Sequence, residues 1–438
     1  MLNYIDLFAG AGGLSEGFIK AGFNPIAHVE MDKAACLTMK SRVAYHFLRG
    51  TGQLDIYNDC LRSGKSPSLL YPLIPAELLD SVIQTEISDD TIPSVFARID
   101  ALKKDKKIDL IVGGPPCQTY SLVGRSKINS LTNKHVTTDI RYELYKQYGK
   151  FLQRYQPEYF VFENVLGLLS AGNRWLIHQI RHYFETECGY SIKWQILDAN
   201  KYGVIQQRRR VIIIGKKGLG PFDYPEPETV TRERNWTVKD ALFSDLQKLN
   251  PGEEKDVSSY TTYIAHEYLT SIGVRDETDF VTQHITRPHN ETDLNIYRLA
   301  IEKWKERKRL KYNDVPEEWR NHKNVTSFLD RFKVVDPDGL SHTVVAHLSK
   351  DGHYYIYPDE NNPRSLSVRE AARIQSFPDN YYFEGGRGAA FKQIGNAVPP
   401  QLAFVIAKKM KEVLSQNSLH GPKLYPDLSR RTEPVGTD

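Results

Sequence analysis

The 438-residue sequence predicts an α/β protein: an open, doubly wound sheet carrying a second, smaller domain. Three observations predict it. The apolar start Ile5-Asp6-Leu7 runs into a glycine-rich turn and then a helical stretch, the strand–turn–helix opening of such a sheet. Two later runs, Ile108–Val112 and Tyr159–Val165, have the near-continuous hydrophobicity of strands buried on both faces. From Lys216 to about Pro363 the chain turns polar and loses long apolar runs. We therefore expect one domain from residues 1–215 joined by 364–438, and a smaller one from 216–363. Residues 50–97, with four prolines among short apolar groups, read as an insertion carrying short helices.

Composition narrows the class. Apolar residues make up 40% and charged residues 26%, as in a soluble globular protein. No run is long and apolar enough to span a membrane, and the first residues lack a charged leader, so a cytoplasmic protein is expected. Four scattered cysteines form no CxxC pair, so neither a disulfide framework nor a metal site is expected. A net charge of +4 is compatible with a polyanionic partner without requiring one.

The first turn, Phe8-Ala9-Gly10-Ala11-Gly12-Gly13, places small residues where a strand meets a helix N-terminus. That arrangement suits an adenosyl or phosphate group, and glycine lets the backbone approach it. A nicotinamide dehydrogenase is the rival here, but GxGxxG is not met because Leu14-Ser15 interrupts it. Glu30 closes the second strand about 20 positions beyond the glycines, where an acid suits a ribose hydroxyl pair; it is equally an ordinary acid before a helix capped by Asp32. Asp100 is either an acceptor for an adenine amino group or a helix N-cap.

Gly113-Gly114-Pro115-Pro116 stops the Ile108–Val112 strand with a rigid turn and delivers Cys117 to its carboxyl end. Ligands bind at that end of an open sheet, so Cys117 is either a nucleophile or a small buried hydrophobe. The polar stretch 124–139 reads as a long mobile loop beside it. Glu163 closes an apolar strand, a costly place for a carboxylate without a function or a partner. Arg208 and Arg210 alternate before the apolar run Val211–Ile214 and should share a face. A block of bases and aromatics from Lys303 to Tyr312 is either a nucleic-acid contact or a solvated helix face. Ser367 stands three residues before Glu370, a capping-box spacing.

Six stretches stand in one order: Asp6–Gly13, Gly114-Pro115-Pro116-Cys117-Gln118, Glu163-Asn164-Val165, Gln206-x-Arg208-x-Arg210, Arg369-Glu370-Ala371-Ala372-Arg373 and Gln393–Pro399. The set resembles the bacterial DNA (cytosine-5) methyltransferases of restriction-modification systems. The resemblance implies a class I S-adenosylmethionine-dependent methyltransferase domain, Rossmann-like, with a target-recognition domain in the 216–363 slot. It implies Cys117 as nucleophile, Glu163 acting at cytosine N3, and Arg208 and Arg210 supporting the base and its carboxylate neighbour. It implies that Phe8, Ala9, Gly10, Gly12, Gly13, Leu14, Pro115, Asn396 and Ala397 line S-adenosyl-L-methionine, with Glu30 at the ribose and Asp100 at the adenine. The implied partner is double-stranded DNA, from which the target base is flipped out; a cognate restriction endonuclease would act independently, and the enzyme would be a monomer. The same chemistry on transfer RNA, and a catalytically silent DNA-binding relative, are the alternatives. The length of 216–363 speaks against the first, and the intact Cys117, Glu163 and Arg210 against the second.

Overall fold

The computed structural model describes residues 1–116, 143–171, 174–275, 278–320, 326 and 328–419. In chain order the sheet lobe contains β1 (Asn3–Leu7), α1 (Gly13–Lys20), β2 (Asn24–Glu30), α2 (Lys33–Gly50), α3 (Leu54–Arg62), α4 (Ala76–Asp80), β3 (Val82–Gln84), α5 (Ile92–Lys103), β4 (Leu110–Gly113), α6 (Leu144–Tyr155), β5 (Tyr159–Asn164), α7 (Gly167–Ser170), α8 (Trp175–Thr186), β6 (Tyr190–Asp198) and β7 (Arg209–Lys217). There follow β8 (Glu254–Ser259), α9 (Glu267–Ser271), β9 (Phe280–Ile285), α10 (Glu291–Lys305), α11 (Val368–Ile374), α12 (Gly386–Asn396) and α13 (Pro400–Leu419).

The seven strands pair in the order β3-β2-β1-β4-β5-β7-β6. The first five are parallel, and β7 is antiparallel to both its neighbours. The order reverses between β1 and β4, which opens a ligand crevice at their carboxyl ends. Both sheet faces are covered, which is why β1, β4 and β5 are apolar almost throughout. On one face lie α5, α6 and α8 through Val95, Tyr148, Phe151 and Phe184. On the other lie α1 and α13 through Leu14, Phe18, Leu402, Ile406 and Met410. The Ser15 hydroxyl donates to buried Asp6 at 2.6 Å and fixes the start of α1 over β1.

The expected insertion is narrower than 50–97. β3 belongs to the central sheet and α5 to its covering layer, which leaves the segment between α2 and β3 as the added part. A three-residue strand is too short to show a period, so β3 could not be read from sequence. The added segment joins the two lobes. Tyr57, Leu61 and Leu70 share a core with Tyr45 of α2 and Phe280 of β9. Arg62 meets Asp279 at 2.7 Å, and the Ser66 hydroxyl donates to Glu384 at 2.8 Å.

Packing also divides the chain differently from the 363/364 boundary. β8 and β9 form a two-stranded antiparallel sheet. Residues of α11 and α12, such as Ala371, Ile374 and Phe391, share one core with Val238, Leu242 and Tyr268. Only α13 returns to the sheet, beside α1. Buried arginines tie this core together. Arg373 pairs with Asp245 at 2.5 Å and Asp379 at 2.6 Å, and Arg364 pairs with Glu370 at 2.7 Å. The expected capping box at α11 is present, with Ser367 and Glu370 each satisfying the other's backbone.

Glu16, Arg42 and His46 form a buried charged cluster, with Arg42 at 2.5 Å and His46 at 3.1 Å from the carboxylate. Burial alone would raise the Glu16 pKa, but Arg42 and His46 together hold it well below the carboxylate range. A depressed carboxyl stabilises the fold above its unfolded value, near 4.5, and that contribution is lost as pH falls below it. Arg42→Ala is expected to cost about 3–5 kcal/mol at pH 7 by stranding the buried carboxylate. Glu16→Gln is expected to flatten the acid limb of the stability–pH curve. Urea unfolding from pH 7 down to pH 3 checks both.

Candidate active site

The first part of the site is the turn after β1. Gly10 is left-handed at φ 56° and faces open space, since a side-chain carbon there would meet nothing within 4 Å. Its N–H donates to Glu30 Oε2 at 2.8 Å, so the carboxylate at the end of β2 holds the turn open beside it. Glu30 Oε1 accepts from the N–H groups of Met31 and Asp32 at 2.9 and 2.8 Å. Burial raises the Glu30 pKa, against the lowering by these three backbone donors. Gly13 lies against the far wall: a side chain there would come within 2.3 Å of the Val398 carbonyl and 3.2 Å of Ala397. The turn between α12 and α13 thus closes over the start of α1, with Tyr381 donating to the Ala11 carbonyl at 2.5 Å. The resulting crevice has a ready helix N-terminus, a carboxylate and an open glycine, which fits the adenosyl cofactor implied by sequence.

The second part lies two strands along the sheet, about 10 Å away at the usual strand spacing. Glu163 is the penultimate residue of β5, and its carboxylate meets Arg210 Nε at 2.8 Å. Antiparallel β7 makes this possible, because its N-terminal end lies beside the carboxyl end of β5, with Asn164 opposite Val211. Gly114 brings the β4 turn against the same carboxylate: a side-chain carbon there would stand 2.7 Å from Glu163 Oε2. Asn164 Nδ2 donates to the Pro115 carbonyl at 3.2 Å and fixes that approach. Burial raises the Glu163 pKa, while Arg210 and, further off, Arg208 lower it; burial prevails. The carboxyl therefore keeps its proton to higher pH than a surface glutamate and can donate it.

Arg208 does not share this face. It is fully buried, and its guanidinium donates to the carbonyls of Val344 at 2.5 Å, Gly395 at 3.2 Å and Ala397 at 2.7 Å. It precedes β7, so strand alternation does not govern it. Arg208 thus stands behind the Glu163–Arg210 pair as a tie between segments. Arg208→Ala is expected to lower stability by about 2–3 kcal/mol as its charged hydrogen bonds are lost. Arg210→Ala should remove activity and also lower the urea midpoint, because it leaves the buried Glu163 carboxyl without its guanidinium partner.

Two further expectations are corrected. Asp100 lies in the last turn of α5 and pairs with Arg154 near the end of α6. α5 runs back toward the amino end of β4, whereas Glu30 closes β2 at the opposite edge of the sheet. Asp100 therefore cannot meet a cofactor held by Glu30. The acid at that edge is Glu86, exposed two residues beyond β3, where the Thr85 N–H donates to the Glu30 carbonyl at 2.8 Å. The signal for it was the short apolar pair Val82-Ile83 just ahead. Leu14 buries its side chain in the core with Tyr4, Phe18 and Val398.

The remaining expected residues divide by position. Phe8 and Ala9 follow β1 directly, and the Ala9 N–H donates to the Val29 carbonyl at 3.1 Å. Gly12 caps α1. Asn396 is exposed at the end of α12. Cys117 and the stretch 124–139 lie outside the described residues; Pro116 is the last described residue before them. In the basic block, Lys305 pairs with Glu360, Arg307 faces Asp338 at 3.8 Å and Lys308 faces Glu306 at 3.1 Å. These pairs are exposed and add little energy, so the block stays open to either reading, a nucleic-acid contact or a solvated helix face. No helix among the described residues is long and apolar enough to cross a membrane.

Comparison with known proteins agrees with this geometry. Among solved structures, the chain is similar to one described as a DNA modification methyltransferase encoded within a prophage (E. coli), with a TM-score of 0.62 at 23% identity over 95% of this chain and 100% of that one. It also resembles the Schizosaccharomyces pombe Dnmt2 methyltransferase, with a TM-score of 0.53 at 15% identity over 94% and 99% of the two chains. Both likenesses concern the fold. Among curated proteins, it is 39% identical to the type II methyltransferase M.Bpa9945I of Bacillus paralicheniformis over 94% of this chain and 99% of that protein. It is 31% identical to the type II methyltransferase M1.HphI of Haemophilus parahaemolyticus over 93% and 86%. The model of the C-5 cytosine-specific DNA methylases matches residues 2–50 and 82–412, and it skips the segment that bridges the lobes. A Rossmann-like crevice, a buried carboxyl paired with arginine and a match over both lobes together establish that the chain belongs to the C-5 cytosine-specific DNA methylase family.

Proposed function

We propose that the protein methylates C5 of a cytosine extruded from double-stranded DNA, using S-adenosyl-L-methionine, as the modification enzyme of a type II restriction-modification system. The observation that carries this reading is the buried Glu163, its pKa raised by burial, paired with Arg210 beside the Pro115 turn. In the crevice, Glu30 would take the ribose hydroxyls through lone pairs left by its backbone donors. Glu86 replaces Asp100 in our proposal as the acid at the adenine end. Gly10, Gly12, Gly13, Asn396 and Ala397 would border the cofactor, with Phe8, Ala9 and Pro115. Residues 216–363, with the helices that share their core, would choose the DNA sequence. We propose that the enzyme acts as a monomer, independently of any cognate restriction endonuclease.

C5 of cytosine is a poor nucleophile until C6 is attacked. Cys117, immediately after the Pro115-Pro116 turn, would add to C6 as a thiolate, which drives negative charge toward N3 and O2. Glu163 gives its proton to N3 as that charge develops. Arg210 orients Glu163 and supplies the compensating positive charge once the proton has gone. Arg208 holds the segment behind them in place. S-adenosylmethionine, when bound, supplies an electrophilic methyl group on a sulfonium sulfur. A base then removes the proton from the methylated C5, the C5–C6 double bond re-forms as the Cys117 thiolate leaves, and N3 returns its proton to Glu163. Extrusion of the base costs a few kcal/mol, which phosphate contacts offset.

Cys117→Ala is expected to abolish transfer of labelled methyl groups to DNA while the melting temperature and cofactor binding persist. Turnover above a few per cent of wild type would remove Cys117 from the mechanism. A cofactor-dependent covalent adduct with DNA containing 5-fluorocytosine should form and map to Cys117, not to Cys36, Cys60 or Cys188. For Glu163 the sign follows from its raised pKa. The active form is protonated, so turnover should fall as pH rises through that raised value. Glu163→Gln cannot lose a proton; it should be about 100-fold slower, the scale of one lost transition-state donor, and lack the alkaline limb. Initial rates against pH for the two proteins check this.

A further inference from the structure

Two features coincide at Phe328. Its backbone is left-handed at φ 55°, and its side chain is 64% exposed. Among the described non-glycine residues with left-handed backbone, no other exposes a large hydrophobic side chain. That conformation is unfavourable for an aromatic residue and persists only where the surroundings impose it. Here they do. Arg331 Nε donates to the Phe328 carbonyl at 3.0 Å, and the Tyr312 N–H donates to the Leu329 carbonyl at 2.7 Å. The Arg331 guanidinium in turn lies 3.8 Å over the Tyr312 ring, which stacks on Phe332. The Tyr354 hydroxyl holds Asp330 at 3.3 Å. The backbone from the Phe328 carbonyl onward is thus held, and the ring is left in water.

The surroundings are cationic and aromatic. Lys333 lies 5.0 Å over the Tyr354 ring. Arg309 is close enough to help burial lower the Lys333 pKa. Arg309, Arg331 and Lys333 thus gather around Tyr312 and Tyr354. The cluster also connects to the active site. His342 hydrogen-bonds the Tyr354 carbonyl at 2.6 Å, and two residues on the Val344 carbonyl accepts from Arg208, behind Glu163 and Arg210. An exposed ring whose carbonyl is held by Arg331, in a segment that also carries Lys333, matches a polyanion that also offers flat apolar faces, which is a nucleic acid.

We infer that Phe328 wedges into a base step of the bound DNA duplex, stacking on a base that it partly unstacks, and is a specificity-determining residue of the second lobe. The inference rests on the DNA-methyltransferase reading. Its cationic neighbours would meet phosphates and fix the register, while the ring meets bases. The clamped backbone presents the ring already ordered, so binding loses little entropy in fixing it.

Phe328→Gly separates this role from a structural one, because glycine accepts φ 55° without strain. The probe is a pooled duplex library of randomised sequence, with methylated positions identified by bisulfite sequencing. Phe328→Gly should unfold at the wild-type urea concentration or higher. Its kcat/KM on the library should fall about tenfold, the scale of one lost stacking contact, and its preference should flatten at one or two base positions. The dependence of log KM on log salt should keep its slope, since a ring releases no counterions. Phe328→Tyr should restore both efficiency and preference. A Phe328→Gly protein with wild-type efficiency and preference overturns the inference. So does one that loses only stability, with the preference intact. If the wild-type protein methylates no duplex in the library, the DNA-methyltransferase reading fails first, and this inference falls with it.

Discussion

The arrangement of the site depends on one buried guanidinium. Arg208 donates to carbonyls at Val344, Gly395 and Ala397, which belong to the second lobe and to the turn that leads into α13. Val344 is far in sequence from Gly395 and Ala397, and all three carbonyls lie out of water, where losing a donor carries a desolvation cost. A single charged side chain with a planar fork of donors satisfies all three. The start of β7 is thereby held in place, and Arg210, two residues on, reaches Glu163 across the sheet. The same tie sets the wall that Ala397 and Val398 form against the glycine turn. The crevice beside the glycine turn, the Glu163–Arg210 pair and the second lobe share this one anchor.

Three glutamates show how burial and partners set chemical character. Glu16 is buried with a close guanidinium and an imidazole, and it is held ionised as part of the scaffold. Glu163 is buried with one guanidinium, and burial prevails, so its pKa is raised. Glu30 is buried among backbone N–H donors, and its role is to hold the open glycine turn. The residue type is the same in each case. The difference lies in how many charges and dipoles face the carboxylate at close range.

The two lobes are joined more extensively than the family match alone requires. The segment between α2 and β3 is skipped by that match, yet it shares a core with Tyr45 on one side and Phe280 on the other. Exposed pairs such as Arg62–Asp279 add little energy. The buried rings and the Ser66–Glu384 bond give the segment its grip. Because α11 and α12 lie in the core of the second lobe, the Arg369–Arg373 motif organises that lobe from within.

The sequence by itself determined the strands of the central sheet other than β3, the glycine turn, the Glu30 and Glu163 carboxylates at strand ends, and the capping box of α11. Each of these is a local signal: an apolar run, a turn composition or a fixed spacing, readable within a dozen residues. The family order of six such stretches carried the reaction. Tertiary structure decided what local signals cannot carry. It moved Arg208 from the reacting face to a buried tie, because its fate depends on carbonyls that lie 136, 187 and 189 positions away. It removed Asp100 from the cofactor, because β3 was too short to show a period and the acid at the correct edge, Glu86, follows it. It also placed α11 and α12 in the second lobe, since a helix shows which face is apolar but not which core that face will join.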